Sequence, residues 1–222
     1  MATQHLNLEE QEQIDQIKAF WRQWGNVITW VLIVVLGSYA SYNAWQFWQN
    51  RQGQAAAQLF DEVNKAAQVG DLDKLKRVVG DMQEQAGSSL LAQHAQLLLA
   101  KVAVDKDDAA AARTALEAVV EQSPDDGLKA VAALRVVALD MNAQQWDKAL
   151  AELDALGQSA VPGFAGLIAD RRGDVLMAKG DKVGAGVQYQ AAWDALANDA
   201  NYRQLVEVKL NALGLSASSA AQ

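Results

Sequence analysis

The sequence predicts an all-α protein in which a single N-terminal transmembrane helix is followed by a solenoid of short helical repeats. Three observations carry that expectation. Residues 23–50 contain no charged side chain. The remainder is rich in alanine, holds only Pro124 and Pro162 as prolines, and lacks the alternating β-branched pattern of strands. Within it, small residues recur at intervals of 37 and 36, the signature of stacked helical units.

The arm comes first. Asn7 with Glu10 three residues later resembles a helix start, and Ile14, Ile17, Trp21 and Trp24 recur at helical spacing on one face. Two readings of residues 1–23 stay open: an interfacial helix that turns into the membrane at Gly25, or an extension of the membrane helix itself. The span is placed at 24–48. A bilayer core needs about 20 mostly apolar residues, and the stretch from Val27 to Leu36 supplies the centre. Trp21 and Trp24 mark one headgroup level, and Tyr39, Tyr42, Trp45 and Trp48 the other. A secretory leader would be basic before its apolar stretch, whereas this arm carries Glu9, Glu10, Glu12 and Asp15 against Lys18 and Arg22. Those two cations face only Arg51 on the far side, a bias of about one charge toward a cytoplasmic N-terminus.

From residue 51 onward the chain carries 17 Lys and Arg against 23 Asp and Glu, a formal charge of −6. No basic cluster is present, so a nucleic-acid partner is not expected. Cysteine is absent, so the chain does not reveal its redox compartment. Breaks at Gly70-Asp71, Gly87-Ser88, Asp105-Lys106-Asp107, Ser123-Pro124, Asn142, Gly157 and Gly180-Asp181 divide it into helices at 54–69, 71–86, 88–105, 107–122, 125–142, 145–157, 162–179, 182–198 and 201–213. Ser123 reads as the cap of a helix with Pro124 in its first turn. Residues 214–222 read as a flexible tail.

Three stretches align internally: Ala100-x11-Ala112, Val137-x11-Ala149 and Gly173-x11-Ala185. Large residues follow at Leu116, Leu153 and Tyr189, and further contact positions at Val119, Leu156 and Ala192. Small residues facing across an antiparallel pair let the helices approach closely, and the large residue fills the space beside them. The unit resembles the tetratricopeptide repeat, with Pro124 at the terminal proline, Gly180 at the turn glycine and Trp146 at the usual aromatic. Val137 departs from the usual Gly or Ala. On this reading 88–122, 125–157 and 162–198 are repeats, 54–86 is a degenerate first repeat, and 201–213 is a capping helix of a domain spanning 49–213.

The block Ala169-Asp170-Arg171-Arg172-Gly173-Asp174, running on to Lys179-Gly180-Asp181, resembles the final repeat of the family of ancillary SecYEG translocon subunits. The resemblance extends over nearly the whole chain through the arm, the single early span and the repeat array. It implies a bacterial inner-membrane protein with a cytoplasmic N-terminus and a periplasmic repeat domain. Such a scaffold works beside the SecYEG translocon with a membrane-anchored chaperone of the peptidyl-prolyl isomerase type and with exported client proteins.

Chemistry finds little support. His5 and His94 are the only histidines, so a metal site would need carboxylates for most of its ligands, and no cofactor is expected. Gly180-x3-Gly184-x-Gly186 lacks the strand and the Gly-Lys-Ser/Thr ending of a phosphate loop. Asp107-Asp108 and Asp125-Asp126 sit where helix starts favour acids. The chain reads as a non-enzyme.

Two surfaces read as interaction sites. Gly37, Ser41 and Ala44 form a small-residue stripe on the span, suited to close approach of another membrane helix. In a tetratricopeptide array the concave face takes the first helix of each pair. Here that gives His94, Leu97, Lys101 and Val104, then Val131, Leu134, Ala138 and Met141, then Leu167, Asp170, Asp174 and Met177. This row is apolar enough either to bind a partner segment or to be covered by neighbouring helices.

Overall fold

The computed structural model describes residues 8–87, 89–159, 161–196 and 199–216, with residues 8–17, 19 and 48–52 described by their backbone alone. His5, Asn7 and Ser88, the residues beyond Ser216, and the side chains of Ile14, Ile17 and Trp48 therefore lie outside the described set. The elements are α1 (Leu8–Val69), α2 (Leu72–Ala86), α3 (Leu90–Asp105), α4 (Ala109–Gln122), α5 (Asp126–Asn142), α6 (Trp146–Gln158), α7 (Ala165–Lys179), α8 (Lys182–Ala195) and α9 (Ala200–Ala212). The chain divides into two units, Met1–Gln54 and Ala55–Gln222. No helix boundary falls at Gly25 or Gly53, so the expected separate helix from residue 54 is instead the C-terminal part of α1.

The first unit is its part of α1, and the stretch Phe20–Phe47 is long and apolar enough to cross a membrane. Along it Trp30, Leu36 and Tyr39 are all more than half exposed. Gly25 is buried, covered by the Trp21 ring at 3.3 Å from where a Cβ would sit. Thr29 Oγ1 donates to the Gly25 carbonyl at 2.8 Å, the usual way a hydroxyl is satisfied within an apolar helix.

The second unit is built on one turn used repeatedly. Gly70, Asp107, Gln144 and Gly180 have φ of 69°, 60°, 58° and 88°, in the left-handed region. At each, the amide bonds three residues back and the next amide five residues back, as in Gly70 N to Ala67 O and Asp71 N to Ala66 O. This closes the C-terminus of the first helix and launches the second. In three of the four turns the next residue is an aspartate whose carboxylate caps the new helix: Asp71 to Lys74 N at 3.0 Å, Asp108 to Ala111 N at 3.0 Å and Asp181 to Gly184 N at 2.8 Å. The turns pair α1 with α2, α3 with α4, α5 with α6, and α7 with α8. The pair closed by Gly70 is thus as regular in its backbone as the others. Its departure is in a side chain, with Leu75 where the later pairs carry Ala112, Ala149 and Ala185; Val63 has its equal in Val137.

Three expected boundaries shift. Ser123 does not cap α5. Its Oγ accepts from Asp125 N at 3.2 Å, and Asp125 caps the helix through Leu128 N at 2.8 Å, leaving Pro124 between helices. The carboxylate of Asp125 lies three residues before the amide it reaches, a spacing Ser123 lacks. Gly157 stays inside α6. The next break falls at Gly163, whose φ of 79° forces the chain out of helix and delays α7 to Ala165.

Packing follows the repeat. Ala100, Ala112, Leu116, Val137, Ala149, Leu153, Gly173, Ala185, Tyr189 and Ala192 are all buried, while Pro124 is exposed. Apolar clusters run in sequence along the unit: Val63, Leu75 and Met82 with Ala100 and Leu116, then Val137 with Leu153, then Tyr189 with Val206 and Leu210. The closest approach is between α7 and α8. A Cβ at Gly166 would lie 2.5 Å from Leu196 Cγ, and one at Gly173 2.5 Å from Tyr189 Cε1. These glycines are seven residues apart on one helix face, which lets the bulky partners of α8 seat against bare backbone.

Candidate interaction surfaces

The span presents Gly37, Ser41 and Ala44 uncovered. All are exposed, and a Cβ built at Gly37 meets nothing within 4 Å.

The concave row is neither uniformly open nor uniformly covered. His94, Lys101, Val104 and Met177 are exposed; Val131, Leu134, Ala138, Met141, Leu167 and Asp174 are half-buried; Leu97 and Asp170 are buried. The last repeat departs most from an open groove, because Asp170 and Asp174 are engaged within the protein. Lys209 Nζ from α9 lies 2.7 Å from both Asp170 Oδ1 and Asp174 Oδ1. Tyr202 donates to Asp170 Oδ2 at 2.8 Å, Tyr189 to Asp174 Oδ1 at 2.9 Å, and Arg171 to Asp174 Oδ2 at 3.2 Å. Two like charges one helical turn apart repel, and a lysine shared between them turns repulsion into a bridge. The network fastens α9 to α7 and α8. Burial, with the Asp174 carboxylate adding to it, raises the Tyr189 phenol well above its ordinary pKa; burial and then the Asp170 hydrogen bond do the same for Tyr202. Beside them Arg203 stacks 4.0 Å from the Trp193 ring centroid, a cation–π contact joining α8 and α9.

A second buried acid escaped the sequence reading. Asp140 on α5 is fully buried and pairs with Arg113 of α4 and, at 3.6 Å, Lys148 of α6. Its signal was an acid inside the apolar run from Ala138 to Met141, where a charge requires a partner. The i, i+4 carboxylates of Asp170 and Asp174 carried the same signal, but Tyr202 and Lys209 stand more than thirty residues away.

The Gly180–Gly186 segment is a turn and a helix start, with Asp181 capping Gly184 N. Asp108 and Asp125 are likewise caps. The Asp108 carboxyl is held below its ordinary pKa, first by the Lys76 hydrogen bond at 2.8 Å and then by the Ala111 amide. Among the described residues, no group of three or more acidic or histidine side chains is placed to hold a metal ion.

Residues 18–215 match the family model for a tetratricopeptide repeat-like domain. The chain is 31% identical over 209 residues to a protein of Haemophilus influenzae named ancillary SecYEG translocon subunit, covering 93% of this chain and 98% of the relative. Proteins of the same name match at 29% in Neisseria gonorrhoeae and 27% in Escherichia coli, each over 93% of this chain and at least 97% of the relative. No solved structure matches.

Proposed function

Because the chain belongs to the family of ancillary SecYEG translocon subunits, we propose that it is a non-catalytic, membrane-anchored scaffold at the Sec translocon. The helix Phe20–Phe47 anchors it in the inner membrane with the N-terminus in the cytoplasm. The repeat domain lies in the periplasm, where it links the translocon to a membrane-anchored chaperone of the peptidyl-prolyl isomerase type and to exported proteins. The observation that carries this reading is the end-to-end match to relatives of that name, which includes the span as well as the repeats. A helical array with half-buried apolar rows agrees with contact-making.

In the membrane, the stripe at Gly37, Ser41 and Ala44 faces a neighbouring helix. In the periplasm, the half-buried row around Leu134 and Met141 contacts partner segments, whereas Asp170 and Asp174 serve to hold α9.

Co-purification of the tagged full chain in mild detergent tests the assignment. Recovery of translocon subunits together with the chaperone supports it. Recovery of cell-wall enzymes without translocon subunits overturns it in favour of a tethered assembly factor for other envelope complexes. A reporter fused after Gln222 that is active only in the cytoplasm rejects the topology. Cross-linking from Ser41 no stronger than from Tyr39 rejects the stripe. Unchanged binding of unfolded peptides to a folded Leu134→Asp variant rejects the concave row.

A further inference from the structure

A cleft of about 490 Å³ runs between the second helices α2 and α4, beside α3. None of the concave-row residues lines it, and Val79, Leu99 and Ala115 give it an apolar surface. Two of its residues are ones the fold itself does not need. Gly80 sits within α2 on ordinary helical backbone, and a Cβ there meets nothing within 4 Å. Glycine weakens a helix at such a position, and neither a turn nor a close approach within the chain calls for it. Gln96 of α3 is 8% exposed, and its side-chain amide makes no hydrogen bond among the described residues.

The other polar side chains of the lining are occupied. Lys76 pairs with Asp108 at 2.8 Å, and Thr114 Oγ1 donates to the Ala110 carbonyl at 3.0 Å. A nearly buried amide without a partner costs stability, so such groups are ordinarily paired. The repeat shows what stands at these places otherwise. At the positions equivalent to Gly80 and Gln96, the next two sets of helices carry Glu117 with Ala133, then Asp154 with Ala169. There a long polar residue on the second helix goes with a small one on the next first helix. Between α2 and α4 the sizes are reversed, which leaves the wall bare at Gly80 and puts an unused amide in the cleft.

We propose that this cleft binds an extended peptide segment of a partner protein through its backbone, with Gln96 as the hydrogen-bonding anchor and Gly80 as the opening. A primary amide offers a donor and an acceptor side by side, the complement of the N–H and C=O of one residue in an extended chain. The lining from Asp108 to Ala115 spans about 10 Å along α4, room for about three extended residues. Guest side chains beside Val79 and Ala115 are short and apolar. Pairing through the backbone makes the site tolerant of sequence.

The probe is a capped pentapeptide, Ser-Val-Ala-Val-Ser, labelled with fluorescein and titrated by anisotropy against the full chain in lipid nanodiscs, with empty nanodiscs subtracted. Three analogues each replace one inner amide N–H by an ester oxygen. Saturable binding is expected, weakened at least about tenfold by Gly80→Leu, which fills the opening. At least one ester binds about fivefold more weakly than the amide, the size of one hydrogen bond, and that difference vanishes in Gln96→Met. Both variants melt no lower than the parent chain, because leucine is the better helix former and methionine replaces an unpartnered amide. Lys101→Ala, on the concave row, binds as the parent does. Absence of saturable binding, undiminished binding by Gly80→Leu, esters that all bind as well as the amide, or equal loss with Lys101→Ala overturns the proposal. No translocon is present in this experiment, so its failure leaves the Sec assignment untouched.

Discussion

Replacing Gly173 by alanine tests the tightest contact in the repeat unit. The new Cβ would lie 2.5 Å from Tyr189 Cε1 and 2.6 Å from Cδ1, against about 3.4 Å for ordinary contact, so the ring must retreat by about 1 Å. Overpacking of this kind costs about 1–3 kcal/mol. The displaced phenol also loses its 2.9 Å bond to Asp174, a hydrogen bond to a charged group worth about 1.5–3 kcal/mol. Alanine's better helix propensity returns about 1 kcal/mol. The net loss is about 1.5–5 kcal/mol, on the order of 10 °C in Tm for a unit of this size. Gly80 in α2 is the matched control, because a Cβ there meets nothing within 4 Å. Gly80→Ala therefore stabilises, by about 0.5–1 kcal/mol. Both are measured by thermal unfolding of the full chain in detergent, followed by far-UV circular dichroism. A Tyr189→Leu background removes the obstruction, and there the cost of Gly173→Ala falls by at least about 1.5 kcal/mol. If Gly173→Ala shifts Tm in the same direction as Gly80→Ala, or costs the same in both backgrounds, the close-packing argument is wrong.

Three further outcomes are expected. Tyr189 and Tyr202 have raised pKa values when folded, so above about pH 10 the unfolded chain loses protons that the folded one retains. Stability is then full below that pH and falls as pH rises further, and Tyr202→Phe flattens the fall in melts compared at pH 8 and above 10. Arg113→Met leaves the buried Asp140 with Lys148 alone and destabilises by about 2–4 kcal/mol in urea titrations, discounted from a fully buried pair because Arg113 is partly exposed. Lys148→Met costs under about 1 kcal/mol, since that lysine is nearly half exposed at 3.6 Å. Asp125→Ala costs about 1 kcal/mol through loss of the α5 cap, whereas Asp126→Ala, which leaves that cap intact, costs about half as much or less.

Much of the array was legible because its signals are local. Glycine before aspartate at Gly70-Asp71 and Gly180-Asp181 announces a left-handed closure and a cap within two residues. The same turn at Asp107 and Gln144 has no glycine, and only the shared hydrogen bonds show that four pairs repeat one geometry. That is why the pair 54–86 read as degenerate: Leu75 stands where later pairs carry alanine, while its backbone keeps the pattern. The concave row was found by spacing, but its use was not. Helical periodicity places Asp170 and Asp174 on a face and says nothing of a lysine and a tyrosine arriving from α9. The cleft between α2 and α4 was invisible for the same reason, since Gly80 and Gln96 become one surface only when α3 and α4 stack beside α2.

The sequence by itself determined the membrane helix, the helical class and the repeat period, because uncharged length, residue propensity and turn chemistry act over a few neighbours along the chain. Only the tertiary structure decided which acids are occupied and which apolar residues are open. Those outcomes depend on contacts between side chains thirty or more positions apart, where burial and pairing are set by how successive helices stack.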